Sequence, residues 1–274
     1  MYLYKKQIRL TAALLLTLTA CGDGDTAATN TATTSVAVFD GAAIGCRVSS
    51  VGTTATEVGD GAYTFATVLD AGTVVTATGC TDTDTQLLLP ALLGVVDESG
   101  AVVISPITTL IIEAAIANDG SAKDIDLRTG ARSISATRLQ AAIARIVTNL
   151  ELGDYQPTDP ATANYVAAAK ADTTGTSTAA VAQRISLAMS ILLKSIEVSA
   201  GPANASAAVT AVSQAIVNSL SVVDLTQTTG IAAVMTAAQT IAQIETASID
   251  QIQTVSEAIK ILVNTIINTT GDIT

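Results

Sequence analysis

Three thiols, Cys21, Cys46 and Cys80, are the side chains of this 274-residue chain best suited to covalent chemistry. A cysteine can carry a lipid, form a disulfide, ligate a metal or attack a substrate, and its neighbours decide which. Attack needs a base, and the chain has no histidine, so Ser-His-Asp and Cys-His arrangements are excluded. C-type haem attachment and most zinc sites fail for the same reason, and no Cys-x-x-Cys occurs. There is neither a P-loop nor a G-x-G-x-x-G, hence no phosphate-cradling loop. No cofactor is expected, and no residue is singled out as catalytic.

Carboxylates are the other reactive class. Asp82 and Asp84, in the run TDTDT, have the oxygen chemistry of a hard-cation site, but such a run reads more simply as a solvated loop, and no metal is expected. Asp97-Glu98 stands in a turn before Gly100 and reads as solvated too. Nothing selects a pair for glycoside hydrolysis. Tyr155 and Tyr165 flank the turn from Pro157 to Pro160 and read as packing residues.

Composition narrows the function classes. The net charge is −11, which repels nucleic acid and anionic headgroups, and the stacking aromatics of a nucleic-acid binder are scarce. Five Tyr, two Phe and no Trp leave little for a carbohydrate platform. Only 14% of residues are charged, while small aliphatic side chains are abundant. The length allows one or two domains.

The chain opens MYLYKKQIRLTAALLLTLTACGDGD. Lys5, Lys6 and Arg9 precede an apolar run from Leu10 to Ala20, too short to span a bilayer and suited to a signal sequence. Leu18, Thr19, Ala20 and Cys21 then resemble the bacterial lipobox. The resemblance implies cleavage of residues 1–20, a diacylglycerol thioether on Cys21 and N-acylation of the new terminus. Two or three acyl chains anchor stably where one binds marginally. Gly22 follows the cysteine where aspartate would retain the protein at the inner membrane, so an outer-membrane or surface location is expected. With three of the 13 basic residues in the leader, the mature chain has 10 against 24 acidic residues, a charge of −14. Cys46 and Cys80 are then free to bridge in an oxidising compartment, which contributes roughly 4 kcal/mol by chain entropy. Two separate small core residues are the other reading of that pair.

The elements that would carry these residues follow from periodicity. Residues 21–34 are small and polar and read as a tether. From 35 to 104 come short strands and turns: Ser35 to Phe39, a turn at Asp40-Gly41, Cys46 to Ser50, Thr53 to Val58, a Gly59-Asp60-Gly61 hairpin, Tyr63 with Phe65 and Val68, Thr73 to Thr78, and Ala101 to Ile104. Alternation puts Tyr63 and Phe65 on one face. The runs VFDGAAIGCRV and GDGAYTFATVLDAGTVVTATG resemble the carboxypeptidase-regulatory-like or transthyretin-like β-sandwich. That resemblance implies a scaffold or display role. The loop SSVGTTAT, where some relatives carry calcium ligands, has no carboxylate.

From Ser105-Pro106 the period becomes helical. The run ITTLIIEAAIA follows. Leu139, Ile143, Ile146 and Leu150 mark one stripe, and Val181, Ile185, Ala188, Leu192 and Ile196 a longer one. Val209, Val212, Ile216, Leu220 and Val223 mark another, and Ile231, Val234, Ala238 and Ile241 a shorter one. Ser248 with Gln251 is a capping box that opens a last helix striped by Ile252, Val255, Ile259, Leu262 and Ile266. The expected architecture is α+β and multidomain: a small antiparallel β-sandwich over 35–104, followed by an all-α helical bundle over 105–274.

The function expected is a lipid-anchored envelope or surface protein without catalysis, serving structure, adhesion or assembly. Its partners would be the membrane, through Cys21, and a protein or a further copy of itself, but not nucleic acid. The alternative is an envelope binding protein with an apolar ligand between bundle helices.

Overall fold

In the computed structural model, the residues described are 33–40, 43–50, 52–83, 86, 88–117, 133–159, 163–172, 176–200 and 205–242, with 254, 258 and 261. The 1–20 leader, Cys21 and nearly all of the 21–34 tether lie outside the described residues. So do Asp84 and most of the last expected helix, including Ser248 and Gln251.

The strands are β1 (Thr34–Val38), β2 (Ala43–Ile44), β3 (Arg47–Ser50), β4 (Thr53–Thr54), β5 (Thr56–Gly59), β6 (Ala62–Phe65), β7 (Val74–Thr78), β8 (Thr81–Asp82), β9 (Leu92–Val96) and β10 (Ala101–Ile104). Eight of them form one sheet in the order β4-β3-β7-β9-β10-β1-β6-β5, and β2 pairs with β8 in a small ribbon. β1 and β10 run parallel, while the other pairs are antiparallel. The edge strands β4 and β5 are consecutive in the chain, with Ala55 alone between them. The run 53–59 therefore pairs with β3 at its start and with β6 at its end. The sheet nearly closes on itself, and closure removes the exposed edge that an open sheet would present.

Alternating side chains fill the interior. Val36 and Val38, Tyr63 and Phe65, and Val102 and Ile104 meet in one buried cluster, so the two aromatics share a face as their spacing predicts. Val68 does not extend that strand: β6 ends at Phe65 and Val68 is exposed.

Six helices are described: α1 (Pro106–Ala117), α2 (Ala136–Asn149), α3 (Tyr165–Lys170), α4 (Thr178–Ala200), α5 (Ala205–Val217) and α6 (Thr228–Ala242). α1 lies on the outside of the sheet over β9 and is buried from Pro106 to Ile116. Val74, Leu93 and Val95, on the outer face of β7 and β9, belong to the same core cluster as the helix side chains.

This arrangement overturns the expected sandwich followed by an all-α bundle. The fold is mixed α/β, with a nearly closed eight-stranded sheet and helices packed against it over a shared core. β9 explains the error. Its sequence LLGVV is buried at every position, because one face looks into the barrel and the other meets α1. A doubly buried strand shows no polar alternation, so the period-two pattern passes over it.

The start of α1 is fastened to β9. Ser105 Oγ accepts the Thr108 N–H at 3.1 Å, as an N-cap does, and Thr108 Oγ1 accepts the Ser105 N–H at 2.7 Å. Thr108 Oγ1 also donates to the Leu93 carbonyl at 2.7 Å, and Thr109 Oγ1 accepts the Leu93 N–H at 2.9 Å. The α2 stripe of Leu139, Ile143, Ile146 and Leu150 is buried as its period predicts. The α5 stripe stops early: the helix ends at Val217 and Leu220 is fully exposed. Asn149 imposes that end, because its Nδ2 donates to the Ile216 carbonyl at 2.7 Å and its own carbonyl accepts the Val223 N–H at 2.8 Å. No helix among the described residues is long and apolar enough to cross a membrane.

Gly94, in the middle of β9, lies between Val75 of β7 and Ile104 of β10. A Cβ there would stand 2.5 Å from the Val103 carbonyl oxygen and 2.6 Å from Ile104 Cγ1. The nearer obstacle is backbone of a paired strand and cannot turn aside. Gly94→Ala is therefore expected to destabilise the fold by about 3 kcal/mol through overpacking. Urea denaturation followed by circular dichroism measures it, and a midpoint equal to that of the wild type would show that the strands part more easily than this geometry allows.

Candidate functional site

Asp40 lies two residues past the end of β1. Phe39 still donates its N–H to the Ile104 carbonyl at 2.8 Å and packs its ring on the helical core. The next residue then sets a carboxyl group between the strands and α4. Asp40 is buried. Ser186 Oγ donates to its Oδ1 at 3.2 Å and Ser190 Oγ donates to its Oδ2. The two serines are four residues apart, hence on one face of α4. The Tyr165 hydroxyl of α3 shares a hydrogen bond with Ser186 Oγ. A chain of polar groups thus runs from Tyr165 through Ser186 to Asp40, with Ser190 closing the far side.

Burial dominates the electrostatics. It drives the Asp40 carboxyl up from 3.8 to about 7; the Ser190 hydrogen bond opposes this, the charge of Asp82 adds to it, and the Ser186 hydrogen bond again opposes it. The phenol of Tyr165 is pushed well above its ordinary value by burial and by the neighbouring Asp40 charge. Tyr155 is pushed up by burial and meets the Tyr165 ring edge to face, 5.9 Å between centroids and 72° between planes. Its hydroxyl donates to the Ala163 carbonyl at 2.9 Å. The tyrosines are packing residues as their positions suggest, and Tyr165 has a polar role as well.

Of the carboxylates read from sequence, Asp82 departs from its reading, whereas Asp97-Glu98 stands in a turn with Glu98 exposed, as expected. Asp82 is buried in β8 opposite Ala43, so the solvated-loop reading fails for it. Asp97 shapes the β9–β10 hairpin: its Oδ1 accepts the Ser99 N–H at 2.9 Å, the Ser99 hydroxyl at 2.6 Å and the Ala101 N–H at 2.9 Å. Among the described residues no group of three or more His, Cys, Asp or Glu side chains could hold a metal ion.

Cys46 and Cys80 form a disulfide, their Cα atoms 4.2 Å apart. It sits where the chain passes between the β2–β8 ribbon and the β3–β7 pair of the large sheet. Tyr63 supports the same corner, since its hydroxyl accepts the Cys46 N–H at 3.0 Å and donates to the Ala43 carbonyl at 3.1 Å. The reading of these cysteines as two separate core residues is thereby replaced. Cys21 lies outside the described residues.

Sequence reasoning passed over Asp40, Ser186 and Ser190. Asp40 was legible as a turn residue beside Gly41, which says nothing of burial. The serines carried a signal: in the run ISLAMSILL they stand at helical spacing among Ile185, Met189 and Leu193, on the side that must be buried. A hydroxyl pair on such a face needs a partner. The chemistry open to the cluster is to hold or release one proton at the buried Asp40 carboxyl. No family model, no curated protein and no solved structure matches this chain.

Proposed function

We propose that the chain is a lipid-anchored protein of the bacterial envelope, attached through Cys21, whose folded body serves display, adhesion or assembly and performs no catalysis. The observation that carries this reading is the Cys46–Cys80 bridge. Disulfides persist in oxidising compartments and are rare in a reducing cytosol, so a bridge at a corner of the sheet supports export. The apolar leader and the lipobox-like run before Cys21 supply the route. The helices share one continuous core of small aliphatic side chains, which favours a filled scaffold over a ligand held between helices.

Expression in a bacterial host tests the anchor directly. The mature protein is expected in the membrane fraction, with an N-terminal peptide that starts at Cys21 and carries the mass of its acyl chains. Cys21→Ser is expected to leave the leader uncut. A membrane-free wild-type protein with an unmodified Cys21 would overturn the proposal.

A further inference from the structure

α4 packs on α3, α5 and α1, and the strands reach it through the turn that follows β1. The two hydrogen bonds that make this link join residues 146 and 150 positions apart, so they tie the first strand to the middle of the helical layer. The groups that bear on the Asp40 carboxyl come from three elements. β8 contributes Asp82, a second buried carboxylate; α3 contributes Tyr165, a phenol that stays neutral; α4 contributes the hydroxyls of Ser186 and Ser190. The cations of α4 nearest in sequence, Arg184 and Lys194, are only partly buried and do not figure among these groups. An ionised Asp40 would thus be a buried anion stabilised by hydroxyls and opposed by another acid.

We propose that Asp40, Ser186 and Ser190 form a proton-operated latch between the nearly closed sheet and helix α4. With the carboxyl neutral, Asp40 can both donate to one serine and accept from the other, and every member of the cluster is satisfied without a buried charge. When the proton leaves, the hydroxyls still point to the carboxylate, but the charge favours any state that lets water in. Because the folded carboxyl titrates near 7 and a hydrated one near 3.8, opening becomes easier as pH rises between those values and changes little above them. The open state is one in which α3 and α4 part from the turn at Asp40 while the sheet keeps its own interior. This latch does not rest on the anchoring proposed above and holds for the free folded chain.

Hydrogen exchange at pH 5 and pH 8, corrected for the intrinsic rate of each amide, tests the latch on the intact protein. Peptides covering α3 and the first four turns of α4 are expected to lose protection by close to a hundred-fold between the two, as that separation of acid constants implies. Peptides of β9 and β10, which exchange through global unfolding, are expected to stay more protected than those of α3 and α4 at both pH values, and Asp40→Asn to keep the same α4 protection at both. Should Asp40→Asn not fold, Ser190→Ala takes its place: losing a hydroxyl that favours the carboxylate moves the upper end of the transition to higher pH. Equal protection of α4 and the strands at both pH values would overturn the latch in favour of global unfolding. An α4 profile independent of pH, or one unaltered by these substitutions, would overturn it outright.

Discussion

Asp40→Asn is expected to flatten the dependence of folding stability on pH between about 4 and 7 and to leave the variant more stable than the wild type above that range. The sign follows from where the proton is held. The folded chain keeps a proton on Asp40 up to about pH 7, whereas the unfolded chain releases it near 3.8. Between these values the folded state binds more protons, so the free energy of unfolding falls as pH rises. The contribution is fully present below the lower value and lost at the upper one. At 1.36 kcal/mol per pH unit the loss amounts to about 4 kcal/mol for this buried group, before other carboxylates are counted. The chain's −11 charge adds a fall in the same direction, so the variant rather than the absolute slope isolates Asp40. Asparagine suits the site, since its amide can accept from one serine and donate to the other. Urea midpoints collected every half unit of pH for both proteins make the comparison. Parallel curves would show that the Asp40 carboxyl is already ionised at acid pH, and the cluster would lose its significance.

Removing the disulfide is the second large perturbation. The bridge closes a loop with a sequence separation of 34, and by chain entropy its loss costs about 4 kcal/mol. Cys80 is fully buried, so alanine is the appropriate replacement; serine would leave a hydroxyl in an apolar pocket. Cys46→Ala with Cys80→Ala is expected to lower the urea midpoint and to steepen the slope, since the unfolded chain without its cross-link exposes more surface, and reduction of the wild type is expected to match it. The effect reaches beyond the loop because the bridge also holds the β2–β8 ribbon that buries Asp82, one of the groups acting on Asp40. The double variant is therefore expected to show a weaker dependence of stability on pH than the wild type. Calorimetry and urea denaturation with and without reductant check both statements. A reduced protein as stable as the oxidised one would mean that Tyr63, through its bonds to Cys46 and Ala43, holds the corner unaided.

Much of the local structure was written in near neighbours. The alternation of Tyr63 and Phe65, the Ser105-Pro106 helix start and the stripe from Leu139 to Leu150 each depend on residues within a turn or two of one another. Each appears where those neighbours place it. The cysteine pair was legible as a candidate bridge because only two thiols remain once Cys21 is assigned to lipid. The sheet's closure was not legible. It depends on one run, 53–59, leaving β3 on one side of the sheet to join β6 on the other, and on a parallel β1–β10 pair whose partners are 66 positions apart. β9 was hidden because burial on both faces erases the alternation that reveals a strand. Leu220 fell out of its stripe because Asn149, on another helix, ends α5 first. Asp40 was hidden for the same kind of reason: a carboxylate beside a glycine has the local pattern of an exposed turn, and only the arrival of Ser186 and Ser190 turns it into a buried acid. Periodicity and capping act over a few residues and are carried by the sequence itself. Desolvation, closure and the meeting of polar groups act across the fold, and the tertiary structure decides them.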